Sequence, residues 1–555
     1  MCIRDRYYPG TILLGVRTSP DDPWVLSKNN RARALGPEDE NYDPNVVEFE
    51  YDFPLIDDLL ITGRFYETAG PLPQVMWDVT IKNTGRKTIE IGELGFPMAF
   101  NNLYDGFGWS DEQLKRLWKS RLYLHKFVGG GASWLFAQRM TAETPGLLVF
   151  PGDDTSWEYY HHVKASLNTP YQWEGIPVMY AYSRATIERD SNEPWHNEHT
   201  ALILEPGDSR KVQTRFAPAE SDKQEGIHQA FTLLRRPSIR LLPGAVAPAN
   251  VGIAVEVTGA QPKTFQFSAD VEFQSDVDEV SSFCFVKPKE PGPVRVSFRD
   301  NEGRVCYTHL LFTEPIEDLI KRRADYISSN QIVIEAGVLD SAIALTDIST
   351  GKPVTDLRTY TDSSGIECGL SDALFLAEKN TLYPDVNQIA QLDRFIDEYL
   401  LDDIQNPSDH AVASVLGQPV PTGMYFGRPL AYPHVFNLYH AMYRVAKTYG
   451  ETRHQPSAYL IHAYKTVKAM FRFGWRHYAR TVGLLGDSRL YEIHDDLIAE
   501  GFGAEAAELN ELADFKASEL IKNDDPFAGE SVLDTSGMEE VFMAGKVLDD
   551  DNHLE

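Results

Sequence analysis

Hydrophobic and polar residues alternate with a period of two through the first part of the chain. VVEFEYDF, LLITGRFYE and QVMWDVTIKNTGRKTIEIGELGF place apolar residues at every second position, the signature of strands with one buried face. Asn83-Thr84-Gly85 predicts a turn between the strands WDVTIK and KTIEIGEL. SWLFAQRM, GLLVFPG and TALILEPGDSRKVQTRF continue the pattern, and DEQLKRLWKSRL interrupts it with a short helical piece. Residues 7–222 are therefore expected to form one large antiparallel β-sandwich of many strands.

The period then changes twice. EGIHQAFTLLR predicts a helix, followed by the Pro/Gly-rich connector SIRLLPGAVAPAN, together spanning 223–248. GIAVEVTG, TFQFSADVEF, FCFVK, VRVSFRD and VCYTHLLFT return to strand character and predict a small immunoglobulin-like sandwich over 249–313. From 314 onward apolar residues recur at i, i+3, i+4 and i+7. They do so in IEDLIKRRADYISSN, SDALFLAEKN, DVNQIAQLDRFIDEYLLDDI, HVFNLYHAMYRVAKTYG and SAYLIHAYKTVKAMFRFGW. RLYEIHDDLIAEG and EAAELNELADFKASELIK carry the same period. Short or Pro/Gly-containing connections mark antiparallel helix pairs. No exact short repeat is visible, so the hairpins point to an (α/α) toroid rather than a consensus solenoid. The fold class expected is multi-domain β plus α: a large sandwich, a small sandwich, then a toroid over 314–555. With about eight helices by the last residue, against twelve in six closed hairpins, the C-terminal third of that toroid is expected to be missing. Such a piece exposes apolar helix faces and is expected to be poorly soluble or inactive on its own.

Composition adds limits. The chain has 555 residues, 43% of them hydrophobic and 24% charged, enough for about three or four globular domains. The net charge of −30 lacks the basic footprint that a phosphate-backbone binder needs, so no nucleic-acid partner is expected. No stretch is long and apolar enough to span a bilayer as a helix. Aromatics, including nine Trp and 26 Tyr, make up 11%. Aromatic faces pack against the C–H faces of sugar rings, although large sandwich cores account for them equally. Four cysteines are too few for a disulfide framework. Cys284 and Cys306 fall on strands of the small sandwich, either paired or as two separate buried thiols. The opening MCIRDR is what the codons ATG-TGT-ATA-AGA-GAC-AGR encode, a string matching the transposon end used as a sequencing-library adapter. Residues 1–6 are expected to be read-through of that adapter on an environmental sequence. The true start and any signal peptide would then lie outside the sequence, leaving an extracellular or periplasmic location as a guess.

Sandwich, linker helix and helical hairpins, in that order, resemble the six-hairpin glycosidases. Polysaccharide lyases with the same parts usually place the helices first, so the order favours hydrolase over lyase. A closer resemblance is to a glycosidase-like family of unknown function. WDVTIKNTGRKTIEIGELGFPMAF, GGGASWLFAQRM and GLLVFPGDDTSWEYY resemble its sandwich, and GLSDALFLAEKNTLYP and RPLAYPHVFNLYHAMYRVAKTYG its helices. LDTSGMEEVF resembles its late D-T-T-G-Q-E-E segment, with Ser536 and Met538 in place of the second Thr and the Gln. The resemblance spans about 51–547 and implies a fold more than a reaction.

Glycoside hydrolysis needs two carboxyl groups flanking the bond. Among 82 acidic residues, loop-to-helix junctions with Gly and aromatic neighbours are the only filter. Glu539 and Glu540 pass it best, because they follow Asp534-Thr535-Ser536-Gly537, a helix start with Ser536 as N-cap. A helix N-terminus favours negative charge in any protein, so a plain first-turn Glu is the competing reading. Adjacent residues diverge around a helix, so one at most is expected to face a cavity. A second cluster, Thr361 to Glu367 beside Tyr360, offers Asp362 and, on the following helix, Asp372 as partner acid, or simply as turn and helix-start residues. Arg428, Tyr432 and His434 precede or open a strong helix, where they can bind sugar hydroxyls or a substrate carboxylate, or merely pack the helix entry. Trp134 and Trp157 are candidate sugar platforms or core residues, as is Tyr159.

His161-His162 and the segment from His196 to His199 lack the spacing of a helical H-E-x-x-H site, so no metal is expected, and no cofactor. Gly129-Gly130-Gly131 reads as a bend between strands rather than a phosphate loop. The expected function is glycoside hydrolysis of a polysaccharide or oligosaccharide by carboxylate acid/base chemistry. The alternatives are a uronate-cleaving lyase, which would use Arg428, Tyr432 and His434, and a non-catalytic carbohydrate-binding scaffold.

Overall fold

The computed structural model describes residues 7, 10–27, 31–34, 36, 43–53, 57–102, 111–163, 175–189, 197–220, 224–278, 281–334, 337–356, 369–413, 429–474, 476–522 and 537–548. The chain forms two compact units, Met1–Pro315 and Ile316–Glu555. Multi-stranded antiparallel sheet makes up the first and helices dominate the second.

In the first unit an eight-stranded sheet has Gln74–Asn83 between Leu59–Thr68 and Ser209–Ala219. A six-stranded sheet is built around Ile89–Pro97, which pairs with Leu13–Arg17, Ile176–Tyr182 and Leu202–Leu204. Trp77, Val79 and Ile81 of the first sheet meet Ile89, Ile91 and Leu94 of the second in one core. The turn at Asn83-Thr84-Gly85 is closed by the Asn83 carboxamide oxygen, which accepts from the Gly85 amide at 2.9 Å. It does not make a hairpin; it carries the chain from one sheet to the other.

Among the described residues, three short helices belong to this unit: α1 (Asp111–Ser120), α2 (Arg184–Arg189) and α3 (Gln224–Leu233). Helix α2 explains why Ile89–Pro97 is buried at all nine positions despite its alternating sequence. Glu90 accepts from Arg17 at 2.7 Å and from Arg184 at 3.0 Å. Glu93 accepts from Thr186 at 3.1 Å and from Arg189 at 3.3 Å. At Gly92 a Cβ would lie 2.3 Å from the Trp24 ring, so only glycine admits that indole. The polar positions of the strand thus face a second covered layer rather than water.

The same unit contains two four-stranded sheets. One runs in the order Ser238–Leu242, Ile253–Thr258, Ser281–Pro288, Val271–Val277. The other runs Val246–Pro248, Val305–Thr313, Gly292–Arg299, Gln266–Phe267, with its first pair parallel. Val255, Val286, Val296 and Leu310 share their core. Cys284 and Cys306, one from each sheet, are separate buried thiols, and burial pushes them up to about 11 and 12. Gly130 joins this region to the larger sheets. It adopts φ +64° and bridges both Cys306 and Trp157, and a Cβ there would lie 2.5 Å from the Val305 carbonyl oxygen.

The second unit contains α4 (Ile316–Tyr326), α5 (Leu370–Leu382), α6 (Val386–Arg394), α7 (Tyr432–Tyr449), α8 (Pro456–Phe473), α9 (Arg476–Thr481), α10 (Leu490–Ala499), α11 (Gly503–Lys522) and α12 (Met538–Leu548). Asp385 caps α6, accepting from the Asn387 and Gln388 amides at 2.9 and 3.0 Å. The helical pattern predicted through FIDEYLLDDI is realised as a wider π-helical continuation of α6, Phe395–Ile404. Gly450 ends α7 in the left-handed conformation, φ 71°. Helix α7 is buried almost all round and packs on α5 and α8. Its Phe436, Leu438 and Met442 sit in one apolar core with Leu376, Ile389 and Leu460, each contributing about 1.5–3 kcal/mol by leaving water. Among the described residues, no helix is long and apolar enough to cross a membrane.

Candidate functional site

The turn at residues 483–489 connects three elements of the helical unit. Gly486 adopts φ +87°, and a Cβ there would lie 2.6 Å from Asn437 Nδ2 on α7. Instead Asn437 Nδ2 donates to the Gly486 carbonyl at 3.0 Å, which fastens the turn to the first half of α7. At Gly483 a Cβ would lie 2.4 Å from the Gly537 carbonyl oxygen. Two glycines therefore let the start of α12 press directly against the turn. Asp487 faces inward and accepts from the Leu484 amide at 3.2 Å and from the Lys516 ammonium of α11. Both members of this ion pair are fully enclosed.

Glu540, in the first turn of α12, is also 0% exposed, and among the described residues neither carboxyl oxygen has a hydrogen-bond partner. Burial, followed by the nearby Asp487 charge, pushes its carboxyl up to about 8. Asp487 is raised as well, because burial outweighs the pull of Lys516, and its Oδ1 has no partner. The Tyr491 hydroxyl of α10, also without a partner, is raised by burial and then by the charges of Glu540, Asp514 and Asp487. Glu539 points the other way: it is exposed and accepts from Ser488. A carboxylic acid kept neutral near pH 7 can donate a proton or a hydrogen bond, which an ordinary surface glutamate cannot.

The sequence candidates separate on the structure. Glu539 and Glu540 both belong to this cluster, with Glu540 turned inward. Tyr432 and His434 open α7, the helix that holds the turn, and Pro433 Cβ would lie 3.9 Å from a Cβ at Gly486. Tyr432 is fully buried, and burial lowers His434 to about 4, so its imidazole is neutral at pH 7. Asp372 is engaged elsewhere: it accepts from Arg323 at 2.8 Å and from Gln331 at 2.7 Å, which ties α5 to α4 and its continuation. Trp134 and Trp157 are in the first unit. Trp134 stacks on Phe127 with ring centroids 6.0 Å apart, and Trp157 is fully buried beside a cavity. Asp362, Tyr360, Arg428 and the capping residue Ser536 lie outside the described residues.

Sequence reasoning missed Asp487, Lys516 and Tyr491. Lys516 carried a signal. It shares the α11 face of Ala506, Leu509, Ala513, Ala517 and Leu520, and a lysine in an apolar stripe implies a buried counter-charge. Asp487 had only its place in the turn LLGDSR. Among the described residues no group of three or more His, Cys, Asp or Glu is arranged to hold a metal ion.

Comparison with known proteins adds a family and a fold. No curated protein matches the chain. A solved polysaccharide lyase superposes with a TM-score of 0.74 at 17% identity, covering 98% of this chain and 73% of its own, a similarity of fold. The GH36 α-galactosidase AgaA from Geobacillus stearothermophilus aligns with 40% of this chain and 32% of its own at 10% identity, but its TM-score of 0.19 carries no argument. The family described as "Family of unknown function (DUF5695)" matches residues 3–417 and 422–555, and the chain belongs to it.

Proposed function

We propose that this DUF5695 member is a carbohydrate-active enzyme that cleaves glycosidic bonds in a polysaccharide, with Glu540 as proton donor, on a helical unit that is part of an (α/α) toroid. One observation carries the reading: a fully enclosed carboxyl with no hydrogen-bond partner, raised to about 8, beside a buried Asp–Lys pair. Buried polar groups are normally satisfied, and a perturbed acid without partners marks a functional candidate. Leaving-group protonation needs an acid still protonated at working pH. Asp487 serves to keep Glu540 protonated, because two neighbouring buried carboxyls resist ionising together.

A lyase is the second reading. The polysaccharide lyase with a matching fold covers nearly the whole chain, so domain order does not separate the two reactions. His434, neutral at pH 7, suits the base that a lyase requires. The test is incubation of the protein with neutral and uronic-acid polysaccharides, following reducing ends and ultraviolet absorbance together. Reducing ends without new absorbance, reduced about 10²–10⁴-fold in Glu540→Gln, support the hydrolase. New absorbance from an unsaturated product, lost in His434→Asn, assigns a lyase. Turnover unaffected by Glu540→Gln, or no turnover on any polymer, overturns the assignment of Glu540.

A further inference from the structure

The first unit contains a cavity of about 270 Å³. Its walls include Trp157, Tyr182 and Tyr307, together with Arg210, Arg295 and Glu198. Gly130 brings the two halves of the wall together, since its backbone bridges both Trp157 and Cys306. The arginines are unusual in a chain of net charge −30. Among the described residues neither forms an ion pair, and the Nε of each is buried without a hydrogen-bond partner. Arg210 donates from one terminal nitrogen to the Asp154 carbonyl at 2.6 Å. Arg295 lies over the Tyr307 ring, 4.1 Å from its centroid, which fixes the plane of the guanidinium. Glu158, also in the wall, is already engaged. It accepts from the Ser183 hydroxyl at 2.6 Å and from the Thr200 amide and hydroxyl at 2.9 and 2.7 Å, all neutral donors.

Arginine recognises carboxylates through paired N–H donors, and neither guanidinium in this wall has a carboxylate partner among the described residues. Tyr182, half-buried in the same wall, suits the C–H face of a sugar ring. The volume falls just below the roughly 300 Å³ at which clefts for drug-sized ligands begin, which fits one ring rather than a chain of them. We propose that this cavity binds a single acidic sugar residue, its carboxylate on Arg210 and Arg295, its ring against Tyr182 and its hydroxyls within reach of Glu198. This site is distinct from the cluster around Glu540 and does not depend on any turnover there.

The experiment is titration of the full chain with D-glucuronate, D-galacturonate and D-glucose, followed by calorimetry and by ligand-observed NMR. Saturable binding of at least one uronate, with glucose at least tenfold weaker, is expected. Arg210→Gln and Arg295→Gln should each weaken that binding tenfold or more while the circular dichroism spectrum and melting temperature stay unchanged. If a variant does not fold, the comparison of acidic and neutral sugars on the unaltered protein still decides. Equal binding of glucose, no saturation by either uronate, or uronate binding indifferent to both substitutions in folded variants overturns the proposal.

Discussion

Each unit buries a cluster of charge, and the two clusters are built on opposite principles. In the sheet unit Arg236 is 3% exposed but fully engaged. It donates to the carbonyls of Pro151 and Gly131 and sits 3.5 Å from Asp153. Burial, followed by repulsion from Arg304 and Arg215, lowers its guanidinium to about 9, and it still carries its proton at pH 7. Asp153 in turn accepts from Arg215 at 2.5 Å and from Arg304 at 3.1 Å, and Arg304 also binds Asp300 at 2.7 Å. In the helical unit Asp487 and Lys516 pair, but Glu540 beside them has no hydrogen-bond partner among the described residues. A satisfied cluster locks strands in register. A cluster with an orphaned carboxyl keeps an unrelieved desolvation cost, and folds tolerate such a cost chiefly where chemistry needs it.

The contrast can be broken most severely at Lys516. Lys516→Met leaves Asp487 buried without its counter-ion beside a second carboxyl, and a loss of about 3–5 kcal/mol in urea unfolding is expected. Adding Asp487→Leu to that variant should restore most of the loss, because an apolar pair can replace a buried ion pair at little cost. Failure of the second change to rescue would mean that the pair does more than neutralise itself.

The next effect is a pH slope. Glu540 has its folded value raised from 4.5 to about 8, so its favourable contribution is complete below pH 4.5 and is lost as pH rises toward 8. The loss is on the order of several kcal/mol, since each tenfold change in proton affinity corresponds to about 1.4 kcal/mol. Glu540→Gln cannot ionise, so its urea midpoint relative to the natural protein should rise between pH 5 and pH 8. A difference constant over that range would place Glu540 in water.

The smallest effect is expected in the sheet unit and has the opposite sign. Burial acts to raise Asp153, but Arg215, Arg236 and Arg304 together hold it below its usual 3.8. Its contribution is therefore present above pH 3.8 and is lost as pH falls through the lowered value. Its side chain is 59% exposed, so Asp153→Asn should cost about 1 kcal/mol or less at pH 7. Opposite pH slopes in the two single variants would sharpen the distinction between a satisfied cluster and an unsatisfied one. Parallel slopes would erase it.

Much of the fold was legible in the chain. The period-two run through WDVTIK became the strand Gln74–Asn83, and the helical periods became α4 to α8, α10 and α11. The failures are informative. Ile89–Pro97 reads as half-exposed, yet it is buried throughout, because α2 and Trp24 come from distant sequence to cover its polar side. At the candidate site the pair Glu539 and Glu540 could be found, but not which of the two turns inward. Asp487 looked like an ordinary turn residue, and Asp372, an equally plausible acid by its surroundings in sequence, is committed to Arg323 and Gln331.

What the sequence determined alone is what depends on neighbours along the chain. That includes strand and helix periods, the turn at Asn83-Thr84-Gly85 and the acidic pair at the start of α12. What only the tertiary structure decided is which charges lose their water. Lys516, Asp487 and Glu540 are spread over more than fifty residues, and of the three only Lys516, set in an apolar stripe, stands out in its local setting. They become one site because Gly483 and Gly537 allow two backbones to touch, and α11 closes the space from the other side. Desolvation, which sets the protonation of Glu540, belongs to that assembled enclosure, and no local segment of the chain contains it.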